Sequence, residues 1–190
     1  MKNILIVGCG RSGKTTLSKM IKDKYNNYNI LHSDDLKWAM IRADNKESYY
    51  MEHVDKQNEF EMGDYFQRTQ LEFFNLLIER DKNKYGYILE SGQVYLPILS
   101  ELVNFDNTNV ICLGLGDYSA EQIVEQCLKY DTEESWSYGL DKDYLLRYAK
   151  KFSMENEMFK RECPKYGIEY IDTSKDREQV FKDVLERIIN

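Results

Sequence analysis

Lys14 and Thr15 owe their chemistry to the turn that precedes them. The run Gly8-Cys9-Gly10-Arg11-Ser12-Gly13-Lys14-Thr15 has the spacing G-x-x-x-x-G-K-[ST]. Gly8, Gly10 and Gly13 let the backbone curl with its N–H groups pointing inward, where a side chain would block an approaching phosphate. Lys14 supplies a mobile charge for the β- and γ-phosphates of a nucleotide, and the Thr15 hydroxyl suits Mg²⁺. Arg11 stands inside the turn within reach of the same phosphates, and Ser12 and Thr16 complete the cradle. From average residue usage, the four fixed positions coincide by chance in roughly one chain in a hundred of this length. The context narrows that further: Ile4-Leu5-Ile6-Val7 reads as a short strand, and Thr16 to Ile21 as a helix whose start offers unpaired N–H donors.

Acidic side chains close two other strand-like runs. Tyr28-Asn29-Ile30-Leu31-His32 leads into Ser33-Asp34-Asp35, and Tyr85 to Glu90 leads into Ser91-Gly92-Gln93. Phosphoryl transfer calls for a carboxylate that takes the acceptor hydroxyl's proton or orients Mg²⁺ through its waters. Asp34 and Glu90 are the candidates, either of them for the base and both for the metal. Asp35 binds substrate or caps the helix that begins here, since Ser33-Asp34-Asp35 is also a good helix start. Gly92 lets a ligand approach the backbone closely. Lys37 and Arg42 follow the acidic pair and suit an anionic acceptor. Charge developing on a transferred group calls for further cations. Arg147, Lys150, Lys151 and Arg161 lie on one late helical stretch, and Arg147 and Lys151, four apart, share a face. Arg147 comes early in that stretch and is the first choice.

The chain has 190 residues, a net charge of −7, 42% hydrophobic and 31% charged residues, which describes one globular domain over 1–190 with a core of its own. Lys and Arg are spread without a basic run, which disfavours nucleic acid as a main partner. No apolar stretch approaches a membrane span, and the opening run is too short for a signal peptide. Cys9, Cys112, Cys127 and Cys163 are scattered, so neither a zinc site nor a disulfide framework is expected, and a reducing cytoplasm fits. Cys9 is either a small filler or a thiol whose pKa the positive loop lowers. The 15 tyrosines exceed what a core of this size needs, so some are expected to line a pocket or contact surface.

Five strand-like runs alternate with helical ones: 4–7, 28–32, 85–90, 109–114 and 167–172. Residues 43–51 read as loop, 55–81 as a long helical stretch weakened at Gly63, 131–139 as loop, about 141–163 as helix, and 176–189 as the closing helix. Ser119-Ala120-Glu121-Gln122 reads as a capping box, and Pro97 stands near a helix start. The alternation implies an α/β, three-layer αβα sandwich with a five-stranded parallel sheet. Ligands of such sheets bind at the carboxyl ends of the strands.

With these residues in place, the chain resembles the P-loop kinases of the adenylate kinase-like group, which phosphorylate nucleotides, sugars, shikimate and other small molecules. The phosphate loop is the specific match; the acidic residues after strands two and three, the late basic helix and a polar turn after strand five are the weaker ones. The resemblance implies ATP and Mg²⁺ as cofactors and a small-molecule acceptor held by helices at about 34–82. It also implies a helical lid at about 131–162 carrying an arginine, for which Arg147 stands. Asp34 resembles the base, and Asp172-Thr173-Ser174 the adenine-contacting turn. The reading is an ATP-dependent kinase of a hydroxyl- or phosphate-bearing metabolite. The alternative is an ATP-binding regulatory or ATPase module without an acceptor. No N-K-x-D guanine motif is present, since Asn45-Lys46-Glu47-Ser48 and Asn83-Lys84-Tyr85-Gly86 both lack the Asp.

Overall fold

The computed structural model describes residues 2–81, 84–133 and 135–188. Strand β1 (Asn3–Gly8) runs through the middle of a five-stranded, all-parallel sheet of order β2-β3-β1-β4-β5. Its partners are β3 (Gly86–Ser91) and β4 (Thr108–Gly114), with β2 (Tyr28–His32) and β5 (Glu169–Asp172) at the edges. The two-residue period of β1 divides the core. Ile4 and Ile6 pack with Leu17 and Ile21 of α1 (Lys14–Lys24) and with Phe181 and Val184 of α9 (Arg177–Arg187). Leu5 and Val7 face the other layer, α5 (Asp64–Asp81), α6 (Leu96–Leu102) and α8 (Lys142–Glu162), through Leu71, Phe74, Leu99 and Phe159. Every residue of β1 is buried, as a strand covered on both faces requires. A third cluster joins Cys9 to α7 (Ala120–Tyr130) and α8 through Ile123, Val124, Leu145 and Ala149, so the late helix is anchored beneath the phosphate loop.

Register places the chemistry. Ile6 pairs with Glu90 and Gly8 with Leu113, while His32 of β2 lies opposite Glu90 on its other side. Glu90 thus ends the strand adjacent to the phosphate loop, as expected.

Residues 43–51 differ from the expected loop. Helix α2 (Ser33–Ala43) is followed after a short break by α3 (Glu47–Glu52). The break is a Schellman turn: Asn45 takes φ 55, its N–H bonds the Arg42 carbonyl and that of Lys46 the Ile41 carbonyl. A left-handed asparagine therefore ends one helix without costing the chain a long loop. Gly63 breaks the next stretch outright into α4 (Val54–Met62) and α5. Strand β5 begins two residues late because Gly167 adopts φ 68, which no strand residue shares. The Ser119–Gln122 capping box forms and Asp141 caps α8. Residues 131–133 and 135–140 lie outside the helices and strands, with a turn at 136–139. The closing helix reaches Arg187; residue 189, to which the sequence carries it, and Asn83 of the expected Asn83–Gly86 comparison lie outside the described residues.

Candidate active site

The carboxyl ends of the strands open into a crevice of about 1300 Å³. Its floor is the phosphate loop. Gly8 (φ 144) has no room for a Cβ, which would fall 2.0 Å from the Leu113 carbonyl oxygen, and Gly13 takes φ 92. Lys14 folds over its own loop, its Nζ donating to the carbonyls of Gly8 (2.9 Å) and Cys9 (2.8 Å). The Ser12 hydroxyl is buried and donates to the Cys9 carbonyl, so it stiffens the turn from beneath. Burial pushes the Cys9 thiol up to about 12 against the pull of Lys14, so Cys9 is a filler and not an activated thiol.

Above the loop the Thr15 hydroxyl donates to Glu90 Oε1 at 2.9 Å, and Ser18, one turn further along α1, donates to Oε2 at 2.9 Å. His32 Nδ1 meets the same Oε1. Glu90, 8% exposed, is therefore fixed by three side chains from two elements, α1 and β2. A hydroxyl beside a carboxylate supplies the hard oxygen donors that Mg²⁺ prefers, the remaining positions being left to phosphates and water. Ser18 and His32 were not legible as site residues. The signals that reveal them are the helical spacing from Lys14 and the β2–β3 register.

Asp34 opens the other end. Neither Ser33 nor Asp34 caps α2, whose N-cap is His32 without a side-chain bond. Asp34 instead accepts from Lys37 at 2.8 Å and from the Gln93 amide at 3.4 Å, while the Ser33 hydroxyl donates to Gln93 Oε1 at 3.2 Å. Lys37, 5% exposed, also donates to Glu61 Oε1 at 2.8 Å, and Lys151 of α8 donates to Glu61 Oε2 at 3.2 Å and to Asn58. Burial alone would lower the pKa of Lys37; Asp34 and Glu61 more than offset it, so the ammonium stays charged. Glu155 lies one turn beyond Lys151, its carboxyl pushed up by burial and only partly held down by Lys151 and Lys14. Trp38, Tyr50, Tyr144 and Tyr148 complete this wall, with the amides of Gln57, Asn58 and Gln93 between them.

The segment 131–140 covers the loop from the α7–α8 side. Arg11, at φ 69, pairs with Asp131 and donates to Ser137 at 3.5 Å. The turn after β5 is stitched to the phosphate loop: Thr173 Oγ1 lies 3.0 Å from the Ser12 carbonyl and 2.8 Å from that of Gly114. Arg177, absent from the sequence reading, donates to the carbonyls of Arg11 (3.1 Å) and Thr173 (3.5 Å). Burial, with Arg11 adding to it, pulls its pKa below the usual arginine value.

Of the expected residues, Gly10, Arg11, Gly13, Lys14, Thr15, Thr16, Asp34, Lys37, Glu90, Gly92, Thr173 and Ser174 line this crevice. Gly92 faces Lys14, its position 3.7 Å from Nζ as measured to an added Cβ. Gly8 and Ser12 support the loop from below. Asp172 does not line the crevice; it accepts from the Ser174 N–H and shapes the turn. Asp35 is exposed, and Arg42 pairs with Glu47 outside. Arg147 is also exposed, lying 5.0 Å from the Tyr144 ring centroid, and among the described residues of α8 the basic side chain in the crevice is Lys151. Among the described residues no helix is long and apolar enough to cross a membrane.

No family model and no curated protein sequence matches the chain. Solved structures do, and they share its fold, a five-stranded parallel sheet flanked by helices. Deoxyadenosine kinase from M. mycoides with bound dATP superposes with a TM-score of 0.57 at 16% identity, over 100% of both chains. Shikimate kinase from Bacteroides thetaiotaomicron gives 0.53 at 15% identity, covering 98% of this chain and 96% of that one. Shikimate kinase from Acinetobacter baumannii in complex with shikimate gives 0.51 at 18%, covering 100% and 91%.

Proposed function

We propose that this protein is a phosphotransferase that moves the γ-phosphate of Mg-ATP to a hydroxyl of a small metabolite. The observation that carries the reading is the meeting of Thr15 and Glu90 at 2.9 Å above a phosphate loop, with Asp34 at the far end of the same crevice. In this reading the loop amides and Lys14 hold the triphosphate, and Thr15 and Glu90 hold the metal, which when bound neutralises charge on the transferred group. Asp34 takes the acceptor hydroxyl's proton, and Lys37 keeps its carboxylate in place. Arg11 adds positive charge from the side of the phosphate loop. The helices of about 34–82 hold the acceptor, and residues of about 131–162 form the lid. The buried, free thiols suit a reducing cytoplasm.

The test is ADP release from Mg-ATP across a panel of hydroxyl-bearing acceptors, with Lys14→Ala as the blank. Release that depends on an added acceptor supports the assignment. Release at the same rate without one would make the protein an ATPase and refute it.

A further inference from the structure

We infer that the acceptor carries no negative charge, and that Glu61 enforces this by occupying both lysines that an anion would need. The inference rests on the phosphotransferase reading and narrows its substrate class.

Positive charge at the acceptor end is already paired. At the acceptor end the Lys and Arg side chains lining the crevice among the described residues are Lys37 and Lys151; Arg11, Lys14, Lys175 and Arg177 stand at the nucleotide end. Lys37 gives its donors to Asp34 and Glu61, both at 2.8 Å. Lys151 gives its own to Glu61 and Asn58, with Glu155 at 3.8 Å. Against these two lysines stand three carboxyl groups, those of Asp34, Glu61 and Glu155. A carboxylate or phosphate monoester entering here would meet lysines already paired and a surplus of like charge.

Glu61 is also costly to keep. It is 4% exposed, and a buried ion cluster is weak evidence of a stabilising purpose, because the same volume packed with apolar residues is often at least as stable. It joins α2, α4 and α8, which approach from distant parts of the chain, and its backbone carbonyl is held by the Gln67 amide at 2.6 Å. What the carboxylate supplies is selectivity: it fills the anion's place with an anion of the protein's own. The rest of the wall fits an uncharged ring, with Trp38, Tyr50 and Tyr148 for its faces and Gln57 and Gln93 for its polar edge.

The test uses ligand pairs that differ in charge and keep the reacting hydroxyl: nucleosides against their 3′-monophosphates, and the methyl ester of shikimate against shikimate. With the full-length protein and Mg-ATP, the neutral members should win in kcat/KM by about 100-fold, the scale of one unpaired like charge in a half-buried site. Glu61→Gln, which removes the carboxylate the two lysines share, should shrink that ratio at least about tenfold. Lys151→Gln should widen it. A purely structural clasp would lower both members of a pair together and leave the ratio unmoved, which would overturn the assignment to Glu61. Equal or better use of the anionic members by the unmodified protein would overturn the substrate class, a result that does not need either variant to fold. Binding is scored separately by calorimetry with the nucleotide end filled by a non-hydrolysable ATP analogue. Neutral ligands that bind without any ADP release would sink the phosphotransferase reading and uphold this one; no heat from any neutral ligand, or heat from the anions instead, would sink this one.

Discussion

The two ends of the crevice are built by different means. The nucleotide end is mostly backbone: a turn of eight consecutive residues, two of its glycines at positive φ, and carbonyls that hold Lys14 in waiting. The acceptor end is mostly side chain, and its central contact brings together residues 37, 61 and 151 from three helices. Backbone recognition serves any triphosphate, because phosphate oxygens are the same in every nucleotide. Side-chain recognition can be changed one residue at a time without disturbing the loop. On the proposed reading, one chain thereby keeps a common donor site beside an acceptor site free to specialise.

That contrast can be broken most directly at Lys14. Lys14→Ala should lower kcat by about a thousandfold or more, since on the proposed reading the lysine meets the charge developing on the transferred phosphoryl group; steady-state kinetics with the best acceptor check this. Asp34→Asn should cost about a hundredfold to ten-thousandfold in turnover and leave ATP affinity close to that of the parent, because the carboxylate acts at the other end. A loss of ATP binding in step with turnover would merge the two ends into one site.

Stability sharpens the comparison. Glu61→Leu leaves Lys37 buried beside Asp34 alone and should destabilise the fold by about 3–5 kcal/mol in urea unfolding. Changing Lys37 to Met in the same protein should recover much of that, because the burden is a buried ammonium left with one partially exposed partner. A smaller effect lies at Glu155. Burial raises its pKa in the folded state above the ordinary glutamate value, so its protonated form favours folding at low pH and that contribution fades as pH climbs through the folded-state value. Glu155→Gln should therefore be more stable than the parent at neutral pH, with the gap closing as the solution is acidified towards the ordinary glutamate range; melting curves across pH decide it. Arg147→Ala should change least, with kcat within about twofold, as expected of an exposed cation outside the crevice.

What could be read from the sequence follows the same division. The phosphate loop is contiguous, so spacing alone exposes it, and Glu90 follows from its place at the end of an apolar strand. The acceptor end needs the packing of α2, α4 and α8 before its lysines find Glu61, and no local spacing encodes that meeting. Arg147 shows the limit within a single helix. At about 100° per residue, Tyr144, Tyr148, Lys151, Phe152 and Glu155 form one stripe of α8, and all five line the crevice. Arg147 falls just outside that stripe, although it stands only four residues from Lys151. The tyrosine and phenylalanine positions carried the helical phase, and they identify the inward-facing cation better than proximity to the lid loop does. The loop expected at 43–51 failed for a related reason, because asparagine at φ 55 ends a helix as compactly as glycine would.

The chain has two tryptophans, and they stand at different places in the crevice. Trp38 borders the acceptor wall, its ring centroid 5.3 Å from the Lys37 ammonium. Trp136 rests against Tyr148 at 5.0 Å and edge-on to Phe152, whose ring lies over Gly10 in the phosphate loop. Replacing either indole with phenylalanine leaves a protein with one tryptophan, Trp38 reporting the acceptor wall or Trp136 reporting the join between that wall, through Tyr148, and the phosphate loop, through Phe152. The order in which nucleotide and acceptor arrive can then be timed in a stopped-flow cuvette without attaching a dye.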